Sequence, residues 1–360
     1  MSRSWHARPA CRGQPSWRGT RGTRASLPPP TNSGCASPHG SRIPDHARRY
    51  ALLTCAARRL RDVIDGPRVL CEVALVSERT LFASTEAHIG QDVGGRIFSV
   101  TRDVAERYRL GTASGVDTQG FAPALVFHSE VYRNLSWYLP NLIGNLHARQ
   151  EWEFFHPIHM GQTVHSRTTV VERYRKRNRD YVVAEVLLTD DHGRWLQRSR
   201  THQSFLADDP GDAVVVDRDR EKRTDRRFEL PTGAGEDLTL PARTITHAMC
   251  EQFSGPVKNY HTDQEMARAL GFPDIVVQGM MSVCFVADLM TQRYGMGFLS
   301  AGKLDVRLVN VVWPNDAITP AGKVREIVTE GSRRRALVDV WCAKTDGTVT
   351  IVGTASAVER

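Results

Sequence analysis

Beyond residue 85, apolar and polar positions fall into blocks that occur in the same order twice. Alternation with a period of two, closed by Gly and Asp turns, predicts strands at 162–174, 181–190 and 194–206. It predicts them again at 304–312, 317–329, 335–344 and 348–358. Ahead of each set, 120–139 and 271–290 each read as a Gly-Phe turn, an apolar approach and a long helix that is apolar on nearly every side. A helix of that kind has no face to give to water and must be wrapped. A curved antiparallel sheet closed around one buried helix does this, and the class is α+β.

The repeat extends to the wording. "VTRDVAERY" (100–108) parallels "ITHAMCEQF" (245–253), each a Thr cap before a short helix ending in an aromatic. "GFAPALVFHSEVYRNLSWYL" (120–139) parallels "GFPDIVVQGMMSVCFVADLM" (271–290), and "YVVAEVLLTDDHG" (181–193) parallels "ALVDVWCAKTDG" (336–347). Two units of one shape are expected near 85–208 and 236–360. They pair sheet edge to sheet edge, which satisfies strand edges otherwise left open. The charged, turn-rich stretch 209–235 between them reads as the linker.

Charge changes the picture only at the start of the chain. Residues 1–68 hold thirteen Arg and three acidic residues, a net +10, so the remainder of a chain at +8 is slightly acidic. That Arg/Pro-rich stretch has no apolar period and is expected to be a disordered tail or sequence read from a start set too early, ahead of a transit peptide. No basic stripe with interleaved aromatics follows it, which argues against nucleic-acid binding. No run of about 18 apolar residues is present, which argues against a membrane span. The seven cysteines are scattered without a C-x-x-C pair, as in a reducing, cytoplasmic setting. His156 and His159 have nothing beside them to complete a zinc set and read as loop histidines.

The chemistry concentrates in "SGPVKNYHTDQEMARALGFPDIVVQGMM" (254–281). His261 lies in a polar loop before a short helix, and its ordinary pKa near ~6.5 suits proton exchange. Gly279 opens the apolar helix, where a free N–H and the helix dipole favour a developing negative charge. Thr262 to Glu265 reads as a capping box, with Thr262 accepting from the Glu265 N–H and Asp263 in the first turn.

The order of elements and the wording of 254–281 resemble the MaoC-like hot-dog family, whose members include (R)-specific enoyl-CoA hydratases and acyl dehydratases. The resemblance rests on Ser254, Gly255, His261, Asp263, Ala267, Gly271, Phe272, Gly279 and Met280, which stand in the register of the family motif. It implies a tandem hot-dog fold over about 85–360 and hydration of a 2-enoyl thioester, or the reverse dehydration of a 3-hydroxyacyl thioester. His261 is then the proton carrier and the Gly279 N–H the oxyanion donor. The chain departs from the motif where Pro256 replaces the family Asp, where Lys258 and Asn259 replace Asn-Pro, and where Gln278 replaces His. Asn259 is therefore expected to orient a water or the imidazole. Lys258 is expected toward a coenzyme A phosphate, and Gln278 and Met280 beside the substrate.

The first half offers Asp117 but no loop histidine, and His128 or Ser129 stands where Gly279 does. It is expected to shape an acyl pocket with Tyr132, Trp137 and Tyr138. Neither the residues nor the resemblance implies a cofactor. The partner is an acyl-CoA or acyl-carrier thioester, and hot-dog sheets favour homo- or hetero-oligomers. Two other functions fit less of the motif. One is a catalytically decayed subunit that binds thioesters or supports an active partner. The other is a thioesterase using a helix carboxylate such as Glu130 or Asp288.

Overall fold

The structure is a computed structural model that describes residues 87–133, 146–176, 179–206 and 228–359. The tail expected at 1–68, most of the linker, and Trp137 and Tyr138 lie outside the described residues.

Strand β1 (Asp92–Ser99) leads to helix α1 (Arg102–Thr112) and the one-turn helix α2 (Glu130–Arg133). Strands β2 (Leu146–Phe154), β3 (Thr163–Lys176), β4 (Arg179–Thr189) and β5 (Trp195–Leu206) follow. The later half begins with the short strands β6 (Asp237–Thr239) and β7 (Arg243–Thr244). Helices α3 (His247–Ser254), α4 (Gln264–Ala269), α5 (Met280–Tyr294) and α6 (Met296–Leu299) come next. The chain closes through β8 (Lys303–Leu308), β9 (Ala317–Glu330), β10 (Arg333–Lys344) and β11 (Val349–Val358).

All pairings among these strands are antiparallel, in the spatial order β1-β3-β4-β5-β2-β8-β11-β10-β9-β6, with β7 also on β9. Read inward from either edge, the order is the same: β1-β3-β4-β5-β2 from one side and β6-β9-β10-β11-β8 from the other. The two runs meet where β2 pairs with β8, Gln150 opposite Val306 and Trp152 opposite Leu304.

The outer side of this seam carries ions rather than an apolar surface. Arg149 Nε donates to Asp305 Oδ1 at 2.7 Å across it, and Glu153 pairs with both Arg198 and Lys303. Under the later half lies α5, buried on every side from Met280 through Thr291. Its all-round apolar sequence leaves it no solvent face.

In 120–139 the approach at 124–129 is a run of turns and helix begins at Glu130; Ala122, Leu125, Phe127 and Val131 are buried as expected, and the rest of the helix expected there lies outside the described residues. One sequence expectation changes. The caps of α1 and α3 stand where they were read: Thr101 accepts from Val104 N–H, and Thr246 accepts from Met249 N–H, each at 3.2 Å. The cap of α4 is Asp263 rather than Thr262. Asp263 Oδ1 accepts from Met266 N–H at 3.0 Å, while the Thr262 hydroxyl accepts from Asn259 N–H at 3.1 Å.

Candidate active site

The segment from α3 to α5 builds the site. Helix α3 ends at Ser254, the chain turns through an exposed loop at 256–258, and α4 begins after Asp263. What holds this loop is Asn259. Its Nδ2 donates to Ser254 O and to Val257 O, both at 2.9 Å, and its Oδ1 accepts from His261 N–H at 2.8 Å. Both amide hydrogens are thus committed to backbone. The expectation that Asn259 orients a water or the imidazole gives way to a brace, because its link to His261 runs through the main chain.

His261 is tied to the strand-like approach to α5. Val276 N–H donates to Tyr260 O at 3.2 Å, and His261 Nδ1 lies 2.6 Å from Val276 O. A carbonyl can only accept, so Nδ1 carries the proton and Nε2 presents its lone pair. The Tyr260 ring packs against the imidazole, with centroids 3.9 Å apart. Burial lowers the His261 pKa to about 4, against the upward pull of the Val276 carbonyl. The ring is therefore neutral at pH 7, in one tautomer, with Nε2 unprotonated.

Three residues beyond Val276, Gly279 opens α5. Three extended residues reach at most about 11 Å, so the imidazole and this amide belong to one neighbourhood. Among the described residues, the N–H groups of Gly279 and Met280 donate to no backbone or side-chain acceptor, whereas Met281 N–H is taken by Gln278 O at 2.9 Å. Free amides at a helix start are what an anionic oxygen needs. Gly279 also has a packing reason. A Cβ there would come within 2.0 Å of Leu308 Cδ2.

The other expected residues divide. Gln278 Oε1 and Ser254 Oγ are buried without a protein partner, one beside the free amides and one at the start of the loop. Met280 is fully buried in the core. Lys258 points to solvent, with 81% of its side chain exposed, and pairs with Asp263 Oδ2 at 2.9 Å. Asp263 is lowered first by that lysine and then by the Met266 N–H, so it is a committed cap and ion-pair partner. Pro256 is exposed. His156 and His159 are exposed, and His156 Nδ1 lies 2.8 Å from Trp195 O.

Neither thioesterase carboxylate is free. Glu130 pairs with Arg96, and Asp288 pairs with Arg243 at 2.8 Å. His128, which aligns with Gly279, is no second site. It is 6% exposed, stacks on Phe253 at 3.8 Å and places Nε2 3.2 Å from Phe253 O.

Unpaired amides at the start of a wrapped helix and a neutral histidine tied to its approach make up the candidate site. Comparison with known proteins bears on the segment that carries it. Residues 231–340 match the family model of the MaoC like domain, so the MaoC-like character read from 254–281 holds for that segment. The peroxisomal hydratase-dehydrogenase-epimerase of Saccharomyces cerevisiae is 29% identical over 110 residues, which are 30% of this chain and 12% of that protein. A MaoC-like dehydratase from Phytophthora capsici superposes with a TM-score of 0.56 at 16% identity, over 75% of this chain and 96% of that one. A Mycobacterium tuberculosis protein described as a double hotdog fold gives a TM-score of 0.50 at 12% identity, over 75% and 96%. At such identities, the structural likeness is one of fold.

Proposed function

We propose that the protein is a tandem hot-dog hydro-lyase, with units near 85–208 and 236–360, that adds water to 2-enoyl thioesters or removes it from 3-hydroxyacyl thioesters. The observation that carries this is the His261–Val276 bond. It fixes the proton on Nδ1 and leaves Nε2 as a base, three residues before the unpaired amides of Gly279 and Met280.

In hydration, the thioester oxygen rests on the Gly279 N–H, which stabilises the enolate as it forms. His261 Nε2 takes a proton from water while the water oxygen bonds to carbon 3. The same nitrogen then returns that proton to carbon 2, so one water is added and the imidazole ends neutral. No carboxylate shares this work. Asp263 is spent on Lys258 and Met266, so a single group carries the whole proton transfer. Asn259 acts as a positioning residue through the loop. The substrate is an acyl-CoA or carrier-bound thioester.

A second reading has one observation in its favour. Pro256, at the position of the family Asp, is exposed and has no acid–base group, as in a decayed subunit that binds thioesters without turning them over. Crotonyl-CoA, followed at the enoyl thioester absorbance, separates the two. The hydro-lyase reading expects turnover in the wild type and a loss of ~10²–10⁴ in His261→Ala with the fold unchanged. Equal rates in wild type and variant, or binding without turnover, refute it.

A further inference from the structure

The inward face of β2 and β5 is unusual for a sheet interior. Directly opposed residues point to one face, and here the cross-strand pairs are Gln203 with His147, Thr201 with Gln150, Ser199 with Trp152, and Gln197 with Phe154. Their buried aliphatic neighbours on β4, Val182, Ala184, Val186 and Leu188, confirm that this side faces the core. Five buried polar atoms on this ladder have no protein partner: His147 Nε2, Trp152 Nε1, Gln197 Oε1, Ser199 Oγ and Gln203 Oε1. They are half of all such atoms found among the described residues, gathered on two adjacent strands. Gln203, Ser199 and Gln197 are nearly closed from solvent, at 1–3% exposure.

Orphaned buried polar atoms are rare and call for a reason. Where neighbours on the same ladder can pair, they do: Thr201 Oγ1 donates to Gln150 Oε1, and Gln197 Nε2 donates to Ala124 O, both at 2.8 Å. The orphans are a mixed set. The Trp152 indole only donates, the two Gln oxygens only accept, and the Ser199 hydroxyl does either. From residue 197 to 203 the ladder is about 20 Å long, the scale of a long acyl chain. One end of it is linked to the neighbourhood of the candidate site. Tyr132 OH lies 2.7 Å from His147 Nδ1, and Tyr132 is close enough to Tyr260, the neighbour of His261, for Tyr260 to push its pKa up after burial does.

We propose that the acyl part of the thioester handled at His261 carries hydrogen-bonding oxygen groups, and that this polar ladder receives them. The inference rests on the hydro-lyase reading and adds the substrate class. A plain alkyl chain packed against the ladder leaves these atoms unpaired. A hydroxylated chain satisfies donors and acceptors together. A site built to hydrogen-bond a hydroxyl rejects the analogue that lacks it far more strongly than an apolar pocket rejects an added methylene.

The test compares 2-decenoyl-CoA with its ω-hydroxy analogue on the full chain, with crotonyl-CoA as a third substrate that is too short to reach the ladder. The expected wild-type kcat/KM favours the hydroxylated substrate by at least ~10-fold. Ser199→Ala and Gln203→Met should each shrink that ratio, and the double variant should bring it below one. The ratio is taken within each variant, so changes in the amount of folded protein cancel. The two variants should also melt higher without ligand, because each removes an orphan. A wild-type ratio near one, or a ratio unmoved by the variants, overturns the ladder proposal and leaves the hydro-lyase reading standing. Failure of the folded wild type to turn over any of the three substrates overturns both.

Discussion

His128 should make the protein sensitive to acid, by an amount the structure sets. The imidazole is closed from water between Phe253, on which it stacks, and the Leu125 turn. Burial holds its pKa down to about 4, with the Phe253 and Leu125 backbone pulling upward and Arg107 adding a small push downward. Unfolded, the same group titrates near ~6.5. Between these values the unfolded chain binds a proton that the folded chain refuses, so stability is lost as pH falls from ~6.5 to ~4 and levels off below. At pH ~5.2, nearly one proton separates the two states, a slope of about 1.2 kcal/mol per pH unit. Over the whole window this comes to about 3 kcal/mol from this residue.

The perturbation is His128→Gln, which keeps a side-chain N–H for Phe253 O but does not titrate. Urea unfolding at several pH values between 4.5 and 7 gives the slope for each protein. Comparing slopes rather than absolute stabilities removes the packing lost with the ring. His147 and His261, also lowered to about 4 by burial, remain in both proteins and cancel. The variant's slope should be shallower by about 1.2 kcal/mol per pH unit near pH 5. Parallel slopes, or an NMR titration of His128 with a midpoint near 6.5, refute the assignment.

Two further substitutions test packing beneath the candidate site. Gly279→Ala drives a Cβ into Leu308 and should cost about 1–3 kcal/mol, much of it recovered when Leu308→Ala is added. A double-mutant cycle in urea with no coupling would contradict the close approach. Arg243→Ala strands the buried Asp288 carboxylate, whose pKa burial raises and Arg243 lowers, and should cost about 3–5 kcal/mol. Arg243→Met with Asp288→Leu removes both charges and should cost far less, and a single-variant loss under 1 kcal/mol would show the pair to be solvated.

Most of the later half was legible because each of its elements has one dominant period. The expected strands 317–329, 335–344 and 348–358 lie within a residue or two of β9, β10 and β11, and α5 was marked by being apolar all round. Strand β2 gave no such signal. Its outward Arg149, Glu151 and Glu153 belong to the ion ladder, and its inward face begins with His147 and Gln150, so "LHARQEWEF" has apolar alternation only at Trp152 and Phe154. The start of the helix within 120–139 was hidden for the opposite reason. Burial on all sides suits a wrapped helix and an equally buried series of turns, and composition does not separate them. For the candidate site, the register of the motif singled out His261 and Gly279, but not the tautomer, which is decided by a carbonyl fifteen residues away. Nor did spacing show that Asn259 would be consumed by its own loop, since its partners are main-chain atoms that any sequence supplies.

The unequal halves are joined at the loop that bears His261. The loop bearing His261 leaves from the end of α3, and that end is held by the earlier half. His128 stacks on Phe253 and meets its carbonyl, and Arg107 reaches Gln252 O at 3.4 Å. Gly111 of α1 lies so close to Phe253 that a Cβ there would sit 2.9 Å from its backbone nitrogen. Each of these contacts falls within two residues of Ser254, where the loop begins and where Asn259 anchors it. The residue aligned with Gly279 is thus a clamp on the loop that bears His261. A large, buried, neutral imidazole stands where the other half has a bare amide, and it holds the end of α3 from which that loop leaves.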